Sequence, residues 1–181
     1  MKAKQGKQLS QLLALIGAVL ALVAVIMIFL PQIISASDSE TTYNGFKLAF
    51  GATITSGDLG GIIGGSGKIT FSFMNLLTYI LVLAGLVLIV LQLLGVCKGK
   101  LVTFIAAVAL IAGGILFFFV LNFSSIESTV TVLGKSSTST STFASYNSDT
   151  TTVWKLGYGA IVGGITAIVG GVAALGKAII D

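Results

Sequence analysis

Ser66-Gly67-Lys68, closing a glycine-rich stretch that begins at Gly57, is the part of this chain closest to a phosphate-binding loop. Such a loop cradles phosphate with backbone N–H groups, and it needs glycine where Ile62 stands and Ser or Thr where Ile69 stands. Both requirements fail, so the stretch reads as a flexible connection. Asp38 and Glu40 are the closest pair of acids; on an extended chain they share a face and, with backbone oxygens, offer the hard ligands that calcium takes. Two exposed acids are more simply solvated. Serines and threonines abound, but the chain has no histidine to activate one, and spacing singles out no Ser-Lys pair. With one cysteine, Cys97, there is no intramolecular disulfide and no thiolate metal site; its juxtamembrane position suits acylation, though a small apolar residue at a helix end is the plainer role. The glycine pairs between Leu156 and Leu175 miss the dinucleotide spacing. No catalytic residue, metal or cofactor is expected, and the chain is not read as an enzyme, with loop-borne lipid chemistry the one enzymatic reading left open.

The elements that must carry any function are four apolar segments: Leu12 to Ile34, Leu76 to Cys97, Leu101 to Asn122 and Leu156 to Leu175, none holding a charged side chain. Hydrocarbon about 30 Å thick needs about 20 helical residues, a length each segment meets or approaches. Composition agrees, with 55% of residues apolar or aromatic and only 9% charged. In water such a chain would aggregate through its surface, so lipid is the expected solvent and the bilayer the first partner. The expected architecture is one membrane domain over residues 1–181, an all-α four-helix bundle with a small extracellular antiparallel β element built from two outer loops, about 35–75 and 123–155.

The net charge of +4 is informative by position. Lys2, Lys4, Lys7, Lys98, Lys100 and Lys177 fall near the termini and the short Lys98-Gly99-Lys100 connection, whereas Asp38, Glu40, Asp58, Glu127 and Asp149 fall in the long loops. The positive-inside rule then puts both termini and that connection in the cytoplasm of a multi-pass cell-membrane protein. These lysines read as orientation charges with incidental contact to anionic lipid, not as a nucleic-acid surface. Lys2, Lys4 and Lys7 before an apolar run also fit a signal peptide, but the run exceeds the usual 7 to 15 residues, so a retained first helix is expected. Pro31 should bend or end it near its outer end.

In the first outer loop Phe46, Leu48, Phe50, Ala52 and Ile54 alternate with Lys47, Ala49, Gly51, Thr53 and Thr55, and Ile69, Phe71 and Phe73 repeat the rule against Lys68, Thr70 and Ser72. Period-two alternation predicts two antiparallel strands whose apolar face carries Phe46, Leu48, Phe50, Ile69, Phe71 and Phe73. In the second loop Ile126, Val130 and Val132 suggest a strand, as does the approach through Tyr146, Val153 and Trp154. The Ser/Thr tract from Ser136 to Thr142 reads either as a mobile tip, open to glycosylation, or as the extension of a hairpin.

Within the spans the polar residues are few. Asn75 and Asn122 lie at outer ends, Thr78, Thr103 and Thr166 can bond back to their own helices, and Gln92 stands alone toward the inner end of the second span, more simply helix glue than a substrate site. The last span carries a stripe of small residues, Gly159, Gly163, Ala167 and Gly171, which lets helix backbones approach closely. Packing within the chain against Ala14, Ala18 and Ala21 is preferred over packing between chains.

Two cytoplasmic termini, a long first outer loop with strands, a tight inner turn and a shorter second outer loop give a layout that resembles the claudin-like tetraspan family. Claudins carry a Trp, a Gly-Leu-Trp and two cysteines in the first outer loop; here that loop has neither residue, and Trp154 precedes the fourth span. The resemblance implies contact between molecules through the outer sheet. A non-enzymatic structural, adhesion or assembly role follows, through self-association or another membrane protein; the competing reading is a pore, transporter or membrane-complex subunit.

Overall fold

The computed structural model describes residues 2–36, 41–54, 65–97, 99–132, 135–149 and 153–180. In chain order these form α1 (Lys2–Met27), β1 (Pro31–Ser35), β2 (Thr42–Asn44), α2 (Gly45–Phe50), β3 (Ala52–Ile54), β4 (Gly65–Ile69), α3 (Phe73–Leu93), α4 (Lys100–Phe117), α5 (Val120–Phe123), β5 (Ser125–Val132), β6 (Lys135–Thr142), α6 (Phe143–Asp149), β7 (Trp154–Leu156) and α7 (Tyr158–Ile180). Among the described residues four helices are long and apolar enough to cross a membrane: Gln8–Met27 within α1, and α3, α4 and α7.

The chain divides into two compact units. The first comprises Met1–Met27, Leu77–Phe117 and Val162–Asp181. Its packing is inverted relative to a helical protein in water. Ala14, Gly17, Ala18, Ala21 and Ala24 are buried along α1, while Leu12, Leu15, Val19, Leu22 and Ile26 are exposed at the same helical spacing. Small residues inside let backbones approach, and large apolar residues outside match hydrocarbon. A Cβ placed on Gly171 would come within 2.9 Å of the Ala107 carbonyl oxygen, and one on Gly114 within 2.8 Å of the Gly164 carbonyl oxygen, so α4 and α7 are in backbone contact. Gly17 and Gly170 bring α1 and α7 together in the same way, a Cβ on Gly170 meeting the Gly17 carbonyl oxygen at 3.2 Å. α3 ends in a reversed cap: Val96 N–H reaches the Leu91 carbonyl and Gly95 N–H the Gln92 carbonyl, with Gly95 at φ 74°, a conformation glycine adopts without a Cβ penalty.

The second unit comprises Ile28–Leu76 and Phe118–Ile161. Its described strands form two antiparallel sheets, in the orders β2-β1-β7 and β3-β4-β5-β6. Each sheet joins strands from both halves of the unit. Ser72 fixes the start of α3, its hydroxyl accepting from the Asn75 N–H at 3.3 Å and donating to the Phe123 carbonyl at 2.7 Å. Asn75 Nδ2 donates to Ser124 Oγ at 2.7 Å and to the Leu48 carbonyl at 3.4 Å, tying α2, α3 and the segment before β5 into one buried knot. Beside the first sheet the rings of Tyr43, Phe143 and Trp154 form the aromatic core, Phe143 meeting Trp154 edge-on with centroids 5.1 Å apart.

The expected span ends need correction. The first helix stops at Met27, and Pro31 to Ser35 pair as a strand with β2 and β7, because proline opens an extended segment and β-branched Ile33 and Ile34 fit a pleated surface. The second helix runs from Phe73 to Leu93, the third stops at Phe117 and the fourth continues to Ile180. The single expected β element is two sheets, and the Ser/Thr tract is strand β6, the outer half of a hairpin with β5. Tyr146 falls in helix α6 rather than on a strand. The Asp38 and Glu40 pair, the stretch from Gly57 to Gly64 and Lys98 lie outside the described residues.

Candidate functional site

Four surfaces hold the residues singled out by sequence or by position. Gly159, Gly163, Ala167 and Gly171 are all buried on α7. Gly163 faces Met27 and the Phe117 ring, and Gly171 faces Ala107 and Ile111. On the side toward α1 the contact runs through Gly17, Gly170, Leu20 and Ala21. The small-residue surface is thus occupied by the chain's own helices.

The predicted apolar strand face is a second correction. Only Ile69 is both on a strand and buried; its neighbours across the sheet are Ala52 and Ile126. Leu48 is buried but sits on α2, where Phe46 and Phe50 are exposed one turn apart with centroids 4.6 Å from each other. Phe29 stacks on Phe46, extending the exposed aromatic patch. Phe71 lies between β4 and α3, Phe73 opens α3, and both are exposed. Alternation at Phe46, Leu48 and Phe50 fits a single helical turn as well as a strand, and the flanking caps decide. Asn44 Oδ1 accepts from the Lys47 N–H at 3.0 Å, and Gly51 ends the turn at φ 86°. An Asn and a Gly bracketing six residues was the legible signal.

The four-stranded sheet has a buried face carrying Ile54, Ile69 and Ile126, and a wet face on which Thr53, Lys68, Glu127 and Thr140 stand in one row across the strands. β6 pairs with β5 from Lys135 to Thr142 without a register shift. No described strand covers its other side, so its outward N–H and C=O groups form an open ladder. From Ser136 to Thr142 this edge carries neither charge nor proline, and Ser137 to Thr140 are exposed. The guards that usually blunt an edge strand are absent along that stretch.

A polar junction lies at one end of the first unit. Gln92 Nε2 donates to Thr103 Oγ1 at 2.6 Å and to the Gly99 carbonyl at 3.1 Å, and Lys177 Nζ donates to Gln92 Oε1 at 3.2 Å. Both amide hydrogens of Gln92 are committed, so its carbonyl is aimed at the ammonium. Beside this chain is a cleft of about 480 Å³ lined by Ser10, Gln11, Ala14, Leu15, Gln92, Leu93 and Lys177. The sequence marks Gln92 as helix glue, Thr103 as bonding back to its own helix and Lys177 as an orientation charge; the link from Gln92 to Lys177 crosses 85 residues and leaves no local signal. Thr166, by contrast, bonds back to the Val162 and Gly163 carbonyls of its own helix.

The four apolar helices fit a tetraspan layout. Comparison with protein-family models, with curated proteins and with solved structures gives no match.

Proposed function

We propose that this is a non-enzymatic, multi-pass cell-membrane protein with a structural or assembly role, and that it associates with a second copy of itself through the open edge of β6. The observation that carries the reading is that edge: eight residues long, in unbroken register with β5, and free of charge from Ser136 to Thr142. An antiparallel partner of the same sequence satisfies its outward backbone groups and sets each Lys135 opposite the uncharged Thr142 end of the other strand, so no like charges meet. Gly163, Gly170 and Gly171 meet neighbours within the chain, which supports the sheet edge over the small-residue stripe as the assembly surface.

The lysine distribution supports cytoplasmic termini with both sheets on the outer side, and the layout resembles the claudin-like plan of strands from two outer loops. The exposed Phe29, Phe46 and Phe50 suit the boundary between lipid and water, with α2 as a short interfacial element.

Chemical crosslinking in intact membranes, paired with particle mass in mild detergent, tests the proposal. The wild type should form dimers. Ser139→Lys should leave the fold intact and lower the dimer fraction, because two lysines near a shared axis repel while the β5 ladder is untouched. A wild type that is monomeric in both assays contradicts the reading. So does saturable or ion-selective flux in liposomes, which a pore requires and a contact protein does not.

A further inference from the structure

We propose that the cleft at the Lys177 end of the helical unit binds a phosphate-bearing anion, with the Lys177 ammonium as its charge partner. A lysine in the last turn of a helix is ordinarily placed there for the helix dipole or to reach the polar boundary of the bilayer. Lys177 does more than that. It is half-buried, and its ammonium is held by Gln92 Oε1, itself locked by Thr103 and Gly99. An ammonium has three donors, and among the described residues one is used, by a neutral carbonyl, with no carboxylate paired to it. A cation positioned by dipoles alone, next to an open cleft, is a site for an exogenous anion.

The cleft wall indicates which anion. Gln11 brings an amide to the cleft wall from α1. Several acceptor oxygens are needed to use donors approaching from α1 and α7, as a phosphate offers and a halide does not. Ala14, Leu15 and Leu93 form an apolar wall beside the polar one, and at about 480 Å³ the space holds an esterified headgroup rather than a bare ion. Both a phospholipid headgroup, with its first methylenes against Leu15 and Leu93, and a soluble phosphate ester present this chemistry.

Native mass spectrometry of the full chain, released from detergent with equal phosphatidylglycerol and phosphatidylcholine, reads lipid retention; thermal unfolding with added inorganic phosphate or glycerol phosphate reads the soluble source. Wild type should retain phosphatidylglycerol about tenfold over phosphatidylcholine, or gain thermal stability from the soluble phosphates. The first result assigns a lipid, the second a soluble ester. Lys177→Gln should abolish either effect, and Lys177→Arg should keep it. Gln92→Glu should also abolish it, because the new carboxylate pairs with Lys177 and displaces the anion, keeping the contact to the ammonium while giving up the bond to the Gly99 carbonyl. Gln92→Glu keeps the test decisive should Lys177→Gln fail to fold. A wild type with neither lipid preference nor phosphate stabilisation overturns the proposal, as does an undiminished effect in both Lys177→Gln and Gln92→Glu.

Discussion

Asn147 and Trp154 are joined by a closed pair of hydrogen bonds: Asn147 Nδ2 donates to the Trp154 carbonyl at 2.8 Å, and the Trp154 N–H donates to Asn147 Oδ1 at 2.6 Å. A side-chain amide here imitates a neighbouring strand and holds β7 at the end of α6. The Trp154 indole N–H is buried without a hydrogen-bond partner among the described residues, so the ring is positioned by this clamp and by Tyr43 and Phe143.

Asn147→Ala removes both bonds and should lower stability by about 1–3 kcal/mol. Trp154 is the only tryptophan, so its fluorescence reads the change directly. The wild type should emit at short wavelength and resist acrylamide, whereas the variant should shift to the red and quench more readily. Unchanged emission and quenching would show that the clamp does not set the ring's place.

Gly171→Ala places a methyl group against the Ala107 carbonyl and should cost about 1–3 kcal/mol by forcing α4 and α7 apart. Gly176→Ala, on the same helix, meets only Leu13 Cδ1 at 3.4 Å and should stay within about 0.5 kcal/mol of the wild type. Thermal unfolding in detergent compares the two. Equal losses would remove the close-contact argument.

Ile126→Ala and Phe50→Ser separate the true sheet face from the predicted one. Ile126 is fully buried at the centre of the four-stranded sheet and its truncation should cost about 2–5 kcal/mol. Phe50 is 53% exposed on α2, and its replacement should leave Trp154 emission and the melting temperature nearly unchanged while weakening partition of the α2 surface into lipid. A larger melting shift for Phe50→Ser than for Ile126→Ala would reverse the assignment.

The four long apolar helices were legible because uninterrupted apolar runs of that length favour one long helix each, but their ends were not. Pro31 lies near the end of an apolar run that continues through Ile33 and Ile34, and hydropathy does not distinguish a helix from the strand that pairs with Thr42 to Asn44 and Trp154 to Leu156. At Phe46, Leu48 and Phe50 a real periodicity supported the wrong element, since the deciding information lay in the caps Asn44 and Gly51. The pairing of Ile69 with Ile126 and of Lys177 with Gln92 depends on how the chain returns on itself, which no local pattern encodes. The tract from Ser136 to Thr142 was open between tip and hairpin until its register with β5 fixed it as a strand.

The proposed topology rests on the lysine distribution. In a Cys97→Ser background, Lys100→Cys should react with a membrane-impermeant maleimide only after lysis, and Ser139→Cys should react in intact cells. Labelling of the Lys100 position from outside would invert the orientation.

A cysteine scan along β6 tests the assembly account most directly. Single cysteines from Ser137 to Ser141, each in the Cys97→Ser background, are oxidised in intact membranes and the crosslinked dimer is measured at each position. Two antiparallel copies of one strand meet at a two-fold axis, so crosslinking should peak at a single position and fall on both sides, with none from Thr53→Cys on β3 at the opposite edge of the sheet. A flat profile, or no dimer at any β6 position, would contradict pairing through this edge.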